Sequence, residues 1–262
     1  MSAGGEARGG ATASWSGWWT QILKEVLATL NYGGTDVNLI TGTETFPNVT
    51  QSTTYSLANP ENPNQVLVAY NDLRCHGSPI NGSAASFSSD DGATFTRLTT
   101  ASGCSPFLDT AGDPVVLYNT PTHTWFTVWL DLGCGAGGIG GYKTTTPGDV
   151  NSWTHFCIHP NSSDDRESGW SDNNQASPFY GRMYVSWNDF NVGGGALFET
   201  FSSDNGATWA APILVSNTGT FIRNVQITGD YSTGPLSHAG MNAGGRGFPH
   251  TCNTHMSRHT DG

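Results

Sequence analysis

The sequence predicts an all-β fold made of four-stranded antiparallel blades, a β-propeller or similar repeat array, and three observations carry that expectation. The phrase SSDDGATF at Ser88 to Phe95 recurs as SSDNGATW at Ser202 to Trp209. A second set of markers, AYND, VWLD and SWND, ends apolar runs at Asp72, Asp131 and Asp189. Composition agrees: 12% charged and 36% hydrophobic residues with 34 glycines in 262 residues are the profile of a turn-rich β protein.

Spacing supplies the architecture. Asp90 and Asp204 lie 114 residues apart, twice 57, which places a missing copy near residue 147. There the chain reads TTTPGDVNSW, with Asp149 and Trp153 as the remnants of the phrase, and one further period reaches Asp261. The apolar-run markers keep the same beat, with steps of 59 and 58. A period of this size with several short strands per unit marks a repeat array.

The repeated phrase itself is a hairpin corner. Ser88 and Asp90, like Ser202 and Asp204, offer acceptors to free backbone N–H groups of the turn, and Gly92 and Gly206 supply a positive φ. Thr94 and Thr208 follow, and the aromatics Phe95 and Trp209 anchor the next strand in a hydrophobic layer.

Along the chain, residues 1–35 stand apart from the repeat as a leader with an amphipathic helical pattern at Ile22, Val26, Leu27 and Leu30. Residues 36–262 carry the blades. The first unit reads TYSLANP, QVLVAYND, SAASFSSD and FTRLTT; the second reads DPVVLYN, WFTVWLD, IGGYKTTT and WTHFCIHP. The third reads ESGWSDNN, RMYVSWND, ALFETFSSD and WAAPILVS. Each is a short run rich in β-branched and aromatic residues, bounded by Gly, Pro, Asn or Asp. A fourth begins at RNVQITGD and reaches HMSRHTDG without a final strand, the pattern of an unfinished blade in a longer propeller.

Charge excludes some functions. A formal charge of −11 with only ten Lys and Arg argues against binding the nucleic-acid backbone, and no apolar run has the length of a membrane span. Cys75 with Cys104 and Cys134 with Cys157 sit close enough in sequence for short-range disulfides, free buried thiols being the other reading, and Cys252 is left over. Asn48, Asn81 and Asn161 stand in N-x-S/T tripeptides, as glycan acceptors or as coincidences of an Asn- and Ser-rich chain.

The phrases SSDDGATF and SSDNGATW resemble the Asp-box, or BNR repeat, of sialidases, and the surrounding SLANPENPNQVLVAYND and SPFYGRMYVSWNDF are similar to blades of bacterial secreted sialidase-like proteins. The resemblance covers about Thr35 to Gly262. It implies a propeller of commonly six blades, an extracellular or periplasmic place, and glycans or glycoproteins as partners. For an exo-sialidase it implies three arginines that clamp the sugar carboxylate, a Tyr–Glu nucleophile and an Asp acid/base. The Phe/Tyr-Arg-Ile-Pro tract of that family is absent; FIRN at Phe221 to Asn224 lacks the proline and follows the third corner. No residue carries over from it. Three functions follow as expectations: a sialidase-type glycoside hydrolase, a non-catalytic propeller that binds carbohydrate or protein, or an inactive truncated fragment.

Residues at the starts of blades line the centre of a propeller, which selects Asp113, Asp164, Asp165, Arg166, Glu167, Arg223 and Asp230. Arg166 and Arg223 together form part of an anion clamp, or Arg166 is an ordinary ion-pair partner of Asp165 or Glu167. Asp113, before Pro114, is an acid/base or a strand cap. Asp164, Asp165, Glu167 and Asp172 are candidate ligands for calcium or a solvated acidic turn. His155 and His159 share a strand face without a third ligand, so no other metal is expected. Trp125, Trp129, Trp153, Trp187 and Trp209 stack on sugars or pack between blades.

Overall fold

A computed structural model of the chain describes residues 37–40, 51–75, 81–100, 104–216, 222–229, 236–242 and 253–259. The chain divides into two compact units, Met1–Val37 and Asn38–Gly262, and every strand described belongs to the second. The leader helix, Asn48, Asp230, Cys252 and Asp261 lie outside the described residues.

Four antiparallel meanders follow one another. The first contains β1 (Gln51–Ala58), β2 (Val66–Cys75), β3 (Asn81–Ser88) and β4 (Thr96–Arg97); the second contains β5 (Thr110–Asn119), β6 (Thr124–Asp131), β7 (Gly138–Thr144) and β8 (Thr154–His159). The third contains β9 (Asp164–Ser171), β10 (Met183–Asp189), β11 (Ala196–Ser202) and β12 (Ile213–Ser216). The fourth contains β13 (Ile222–Gly229), β14 (Leu236–Asn242) and β15 (Asn253–His259). Each strand pairs with its sequence neighbour inside its meander, and a single parallel contact, Asn81 with Thr110, links the first meander to the second.

The second strands explain their own sequences. β6 and β10 are buried along nearly their whole length on both faces, so TWFTVWLD and MYVSWND carry large apolar side chains on both faces instead of alternating them with exposed polar ones. Alternation instead sorts side chains between two cores: Trp125 and Trp129 pack with Leu67, Ala85 and Phe107, whereas Phe126 and Val128 pack with Met183, Val185 and Trp187. The sheets therefore stack face to face, each sharing a core with the next. Trp170, Tyr184 and Ile227 form the corresponding cluster between β9, β10 and β13. Trp125, Trp129, Trp153 and Trp187 are buried in these layers, and Trp209 stacks on Phe156 with ring centroids 6.3 Å apart. The four buried tryptophans serve packing between sheets.

The marker aspartates lie at or near the ends of the second strands, Asp131 and Asp189 as last residues and Asp72 three residues earlier, in buried positions, and are satisfied in three different ways. Arg74 and Arg97 both reach the Asp72 carboxylate, at 2.8 and 2.7 Å, and hold it below its ordinary pKa although burial alone acts the other way. His155 meets Asp131 at 2.7 Å, while the backbone N–H of Gly133 donates to the same carboxylate at 2.8 Å. Asp189 accepts the N–H of Asn191 at 2.8 Å.

Both clear copies of the repeated phrase fold as the same clip between the third and fourth strands of their meanders. Gly92 N–H donates to Ser88 Oγ at 2.9 Å, Thr94 N–H to Asp90 Oδ1 at 2.9 Å and Thr94 Oγ1 to Asp90 Oδ2 at 2.6 Å. Gly206, Thr208, Ser202 and Asp204 repeat the set at 2.8, 2.9 and 2.6 Å. The threonine donors hold both carboxyls down to about 2. The positive φ covers two residues, Asp91 (59°) with Gly92 (78°) and Asn205 (59°) with Gly206 (69°). At the decayed copy, between β7 and β8, Asp149 accepts the N–H of Asn151 instead, and Trp153 sits edge-on to Phe107.

Two disulfides close local loops, Cys75–Cys104 and Cys134–Cys157, with Cα atoms 5.1 and 5.4 Å apart. Asn81 is fully buried, where its Oδ1 accepts the N–H of Ser83 and the hydroxyl of Thr110, so it is not a glycan acceptor in the folded chain. Among the described residues no helix is long and apolar enough to cross a membrane.

The two clips predict unequal glycine tolerance. A Cβ at Gly92 would meet nothing closer than 3.7 Å, so Gly92→Ala should cost only the left-handed backbone penalty, about 1–2 kcal/mol. At Gly206 the Cβ would stand 2.9 Å from the Phe126 ring, and Gly206→Ala should lose clearly more in chemical denaturation. Replacing either cysteine pair by serine should cost about 3–4 kcal/mol in the same measurement, from the restored freedom of the unfolded loop.

Candidate functional site

The first strands of the meanders neighbour one another in order, β1 beside β5, β5 beside β9 and β9 beside β13. Where they meet, Thr53, Thr54 and Tyr55 of β1, Asp113, Pro114 and Val115 of β5, Arg166, Glu167 and Ser168 of β9, and Gln226 of β13 line a cleft of about 240 Å³. That is below the roughly 300–1,000 Å³ of drug-sized ligand sites and suits a group no larger than about one sugar ring.

The cleft coincides with a backbone irregularity repeated in every first strand. Pairing slips between Ser52 and Tyr55 on β1, between Gly112 and Val115 on β5, between Arg223 and Gln226 on β13, and on β9 opposite Ser186 and Asn188. Within three of these bulges stands a non-glycine residue in the left-handed region: Thr53 at φ 47°, Asp113 at 53° and Arg166 at 59°. Each such residue costs on the order of 1–3 kcal/mol and persists because the surrounding sheets over-determine it. A β-branched threonine is the least expected of the three. The bulge re-aims side chains that regular pleating would send into the sheet faces.

Polar contacts hold these residues. Asn71 of β2 accepts the N–H of Asp113 at 2.7 Å and donates its amide to Asp113 Oδ1 at 3.2 Å. The Arg166 guanidinium lies 3.9 Å from the Asp113 carboxylate and 4.0 Å from that of Asp165. Arg166 thus joins two carboxylates from two strands, and Glu167, the other partner expected from the sequence, is not among them.

Glu167 has a different environment. Both its carboxyl oxygens are closed off from solvent, and neither has a hydrogen-bond partner of ordinary geometry. Burial pushes its pKa well above the usual carboxylate range, and the negative charges of Asp113 and Asp165 push the same way. The N–H groups of Glu167 itself and of Leu130 lie near enough to offset part of that cost.

The other candidates disperse. Asp164 binds His159 at 2.7 Å and Asn161 at 2.8 Å, and Asp172 accepts the hydroxyl of Ser177 and the N–H of Asn174. The four carboxylates proposed for calcium have separate partners: Asp164, Asp165 and Glu167 lie on β9 and Asp172 just beyond it, and each has its own partner or pocket. Among the described residues no group of three or more His, Cys, Asp or Glu side chains is placed to hold a metal ion. His155 and His159 face separate carboxylates, Asp131 and Asp164. Arg223 is on β13, with its backbone paired to Met241, and its side chain lies outside the described residues. Thr53, Thr54, Tyr55, Asn71 and Gln226 escaped the sequence reading; the usable signal was the period itself, counted back from Asp72 to the first strand of its meander.

No family model matches the sequence, and no curated protein matches it. Solved structures do match in fold. An N-acetylgalactosamine deacetylase from F. plautii is similar with a TM-score of 0.53 and 13% identity over 80% of this chain and 67% of that one. A GH43_12 protein from capybara gut metagenome gives 0.52 and 13% over 80% of this chain, which spans 40% of its length. The catalytic domain of the Coprinopsis cinerea GH62 alpha-L-arabinofuranosidase gives 0.50 and 13%, over 85% and 69%. The all-β chain therefore has the propeller-like fold of these proteins.

The state of Glu167 yields a stability prediction. A carboxyl whose folded pKa lies above its unfolded value stabilises below the unfolded value and loses that contribution as pH rises toward the folded one. Glu167→Gln removes the penalty. Thermal melts should show the variant more stable than the parent at pH 7, with the difference vanishing near pH 4.

Proposed function

We propose that the chain is a glycan-directed, sialidase-like propeller protein of the extracellular or periplasmic space, with the meanders as its blades, the Ser-x-Asp clips as rim corners and the cleft as the seat of a sugar. The observation that carries the reading is the delivery of the bulged residues of successive first strands to one cleft holding carboxyls in unlike settings. Such a pair suits glycoside hydrolysis. Glu167, kept protonated by burial, is the proton donor to the leaving oxygen, and Asp113, partly exposed and faced by Arg166, is the carboxylate that serves as base or nucleophile. Fold likeness to carbohydrate-active proteins and two disulfides, which suit an oxidising compartment, support the setting.

A second reading rests on the closure of Glu167. A ligand entering the cleft meets Asp113, Arg166 and the threonines before any Glu167 oxygen, the arrangement expected of a propeller that binds glycans without cleaving them.

Turnover of a panel of aryl glycosides separates the two. The hydrolase reading expects cleavage that falls about 10²–10⁴-fold in Glu167→Gln. Cleavage untouched by that substitution would remove Glu167 as the donor. Saturable glycan binding without turnover, weakened in Asp113→Asn, would establish the binding protein; neither turnover nor binding would end the glycan reading.

A further inference from the structure

Resting on the glycan reading, we infer that the cleft selects glycan termini without a carboxylate and rejects sialylated ones. The charges around the cleft point one way. Arg166 is the cation of the described lining, and its guanidinium already faces the carboxylates of Asp113 and Asp165 at 3.9 and 4.0 Å. Glu167 borders the same cleft, its carboxyl oxygens closed off from solvent and without a hydrogen-bond partner. A sialic acid carboxylate placed there competes with the carboxylates of Asp113 and Asp165 for one guanidinium, and those two like charges repel it. The rest of the lining suits an uncharged sugar. Thr53, Thr54 and Gln226 offer hydroxyl and amide partners for ring hydroxyls, and Tyr55, Pro114 and Val115 offer apolar surface for the C–H face of the ring.

The inference departs from the anion clamp that the Asp-box resemblance implies. A clamp needs guanidinium groups free for two parallel bonds to a carboxylate. In the structure Arg166 is the one guanidinium of the described lining, and it already lies 3.9 Å from the Asp113 carboxylate and 4.0 Å from that of Asp165.

Titration calorimetry of the intact chain with a galactose-terminated oligosaccharide and with the same oligosaccharide capped by sialic acid tests this. The neutral glycan should bind at least about tenfold tighter at low salt, and the gap should narrow at high salt as the repulsion is screened. Asp165→Asn, which removes one acid outside the cleft lining, should narrow it as well. Equal affinities, or a gap indifferent to salt, would overturn the inference while leaving the glycan reading intact. Tighter binding of the sialylated glycan, lost in Arg223→Gln, would overturn it in favour of the clamp. Binding of neither glycan would remove the glycan reading and this selectivity with it.

Discussion

The fold depends on sheets that are covered on both faces. β6 is the clearest instance: alternate residues of one strand enter two different cores, Trp125 and Trp129 on one side and Phe126 and Val128 on the other. A strand in that position accepts no unpaired charge, because desolvating a carboxylate costs several kcal/mol unless partners replace its water. The marker aspartates of these strands obey the rule by different chemistry, arginines at Asp72, a histidine at Asp131 and a backbone N–H at Asp189. What repeats is the place of the charge; the means of neutralising it does not.

The Ser-x-Asp clips show the same separation of repeated geometry from local context. Their internal hydrogen bonds agree within 0.1 Å at each matched threonine and glycine donor. Their surroundings differ. Gly92 is open, whereas Gly206 lies against Phe126, and Asn205 is locked to the preceding meander through Thr122, Thr124 and Lys143. A corner built mainly from its own residues survives repetition; its docking depends on what the neighbouring sheet presents.

The cleft reverses the economy of the cores. It holds three left-handed non-glycine residues and a carboxyl without a hydrogen-bond partner, features that reduce stability wherever they occur. The closely packed sheets on either side hold them in place, and such local concessions gather where a protein binds or reacts.

Period, strand order, turn chemistry and the apolar runs were all legible in the sequence, because they are local: an eight-residue clip closes on itself, and a strand buried on both faces draws large apolar side chains to both. The starts of the first strands, too, were marked by the beat, which brought Asp113, Arg166 and Glu167 into view together. Their roles were not legible. The sequence left Arg166 with Asp165, with Glu167 or with an anion, and only the meeting of β5 and β9 assigned it to Asp113 and Asp165. The four acids from Asp164 to Asp172 suggested a shared cation until strand geometry sent them apart. Tyr55 and Gln226 carry no motif at all. A repeat dictates what each unit must do for itself, whereas a site between units is composed of residues whose partners lie some fifty residues away in the chain, and only tertiary packing decides which of them meet.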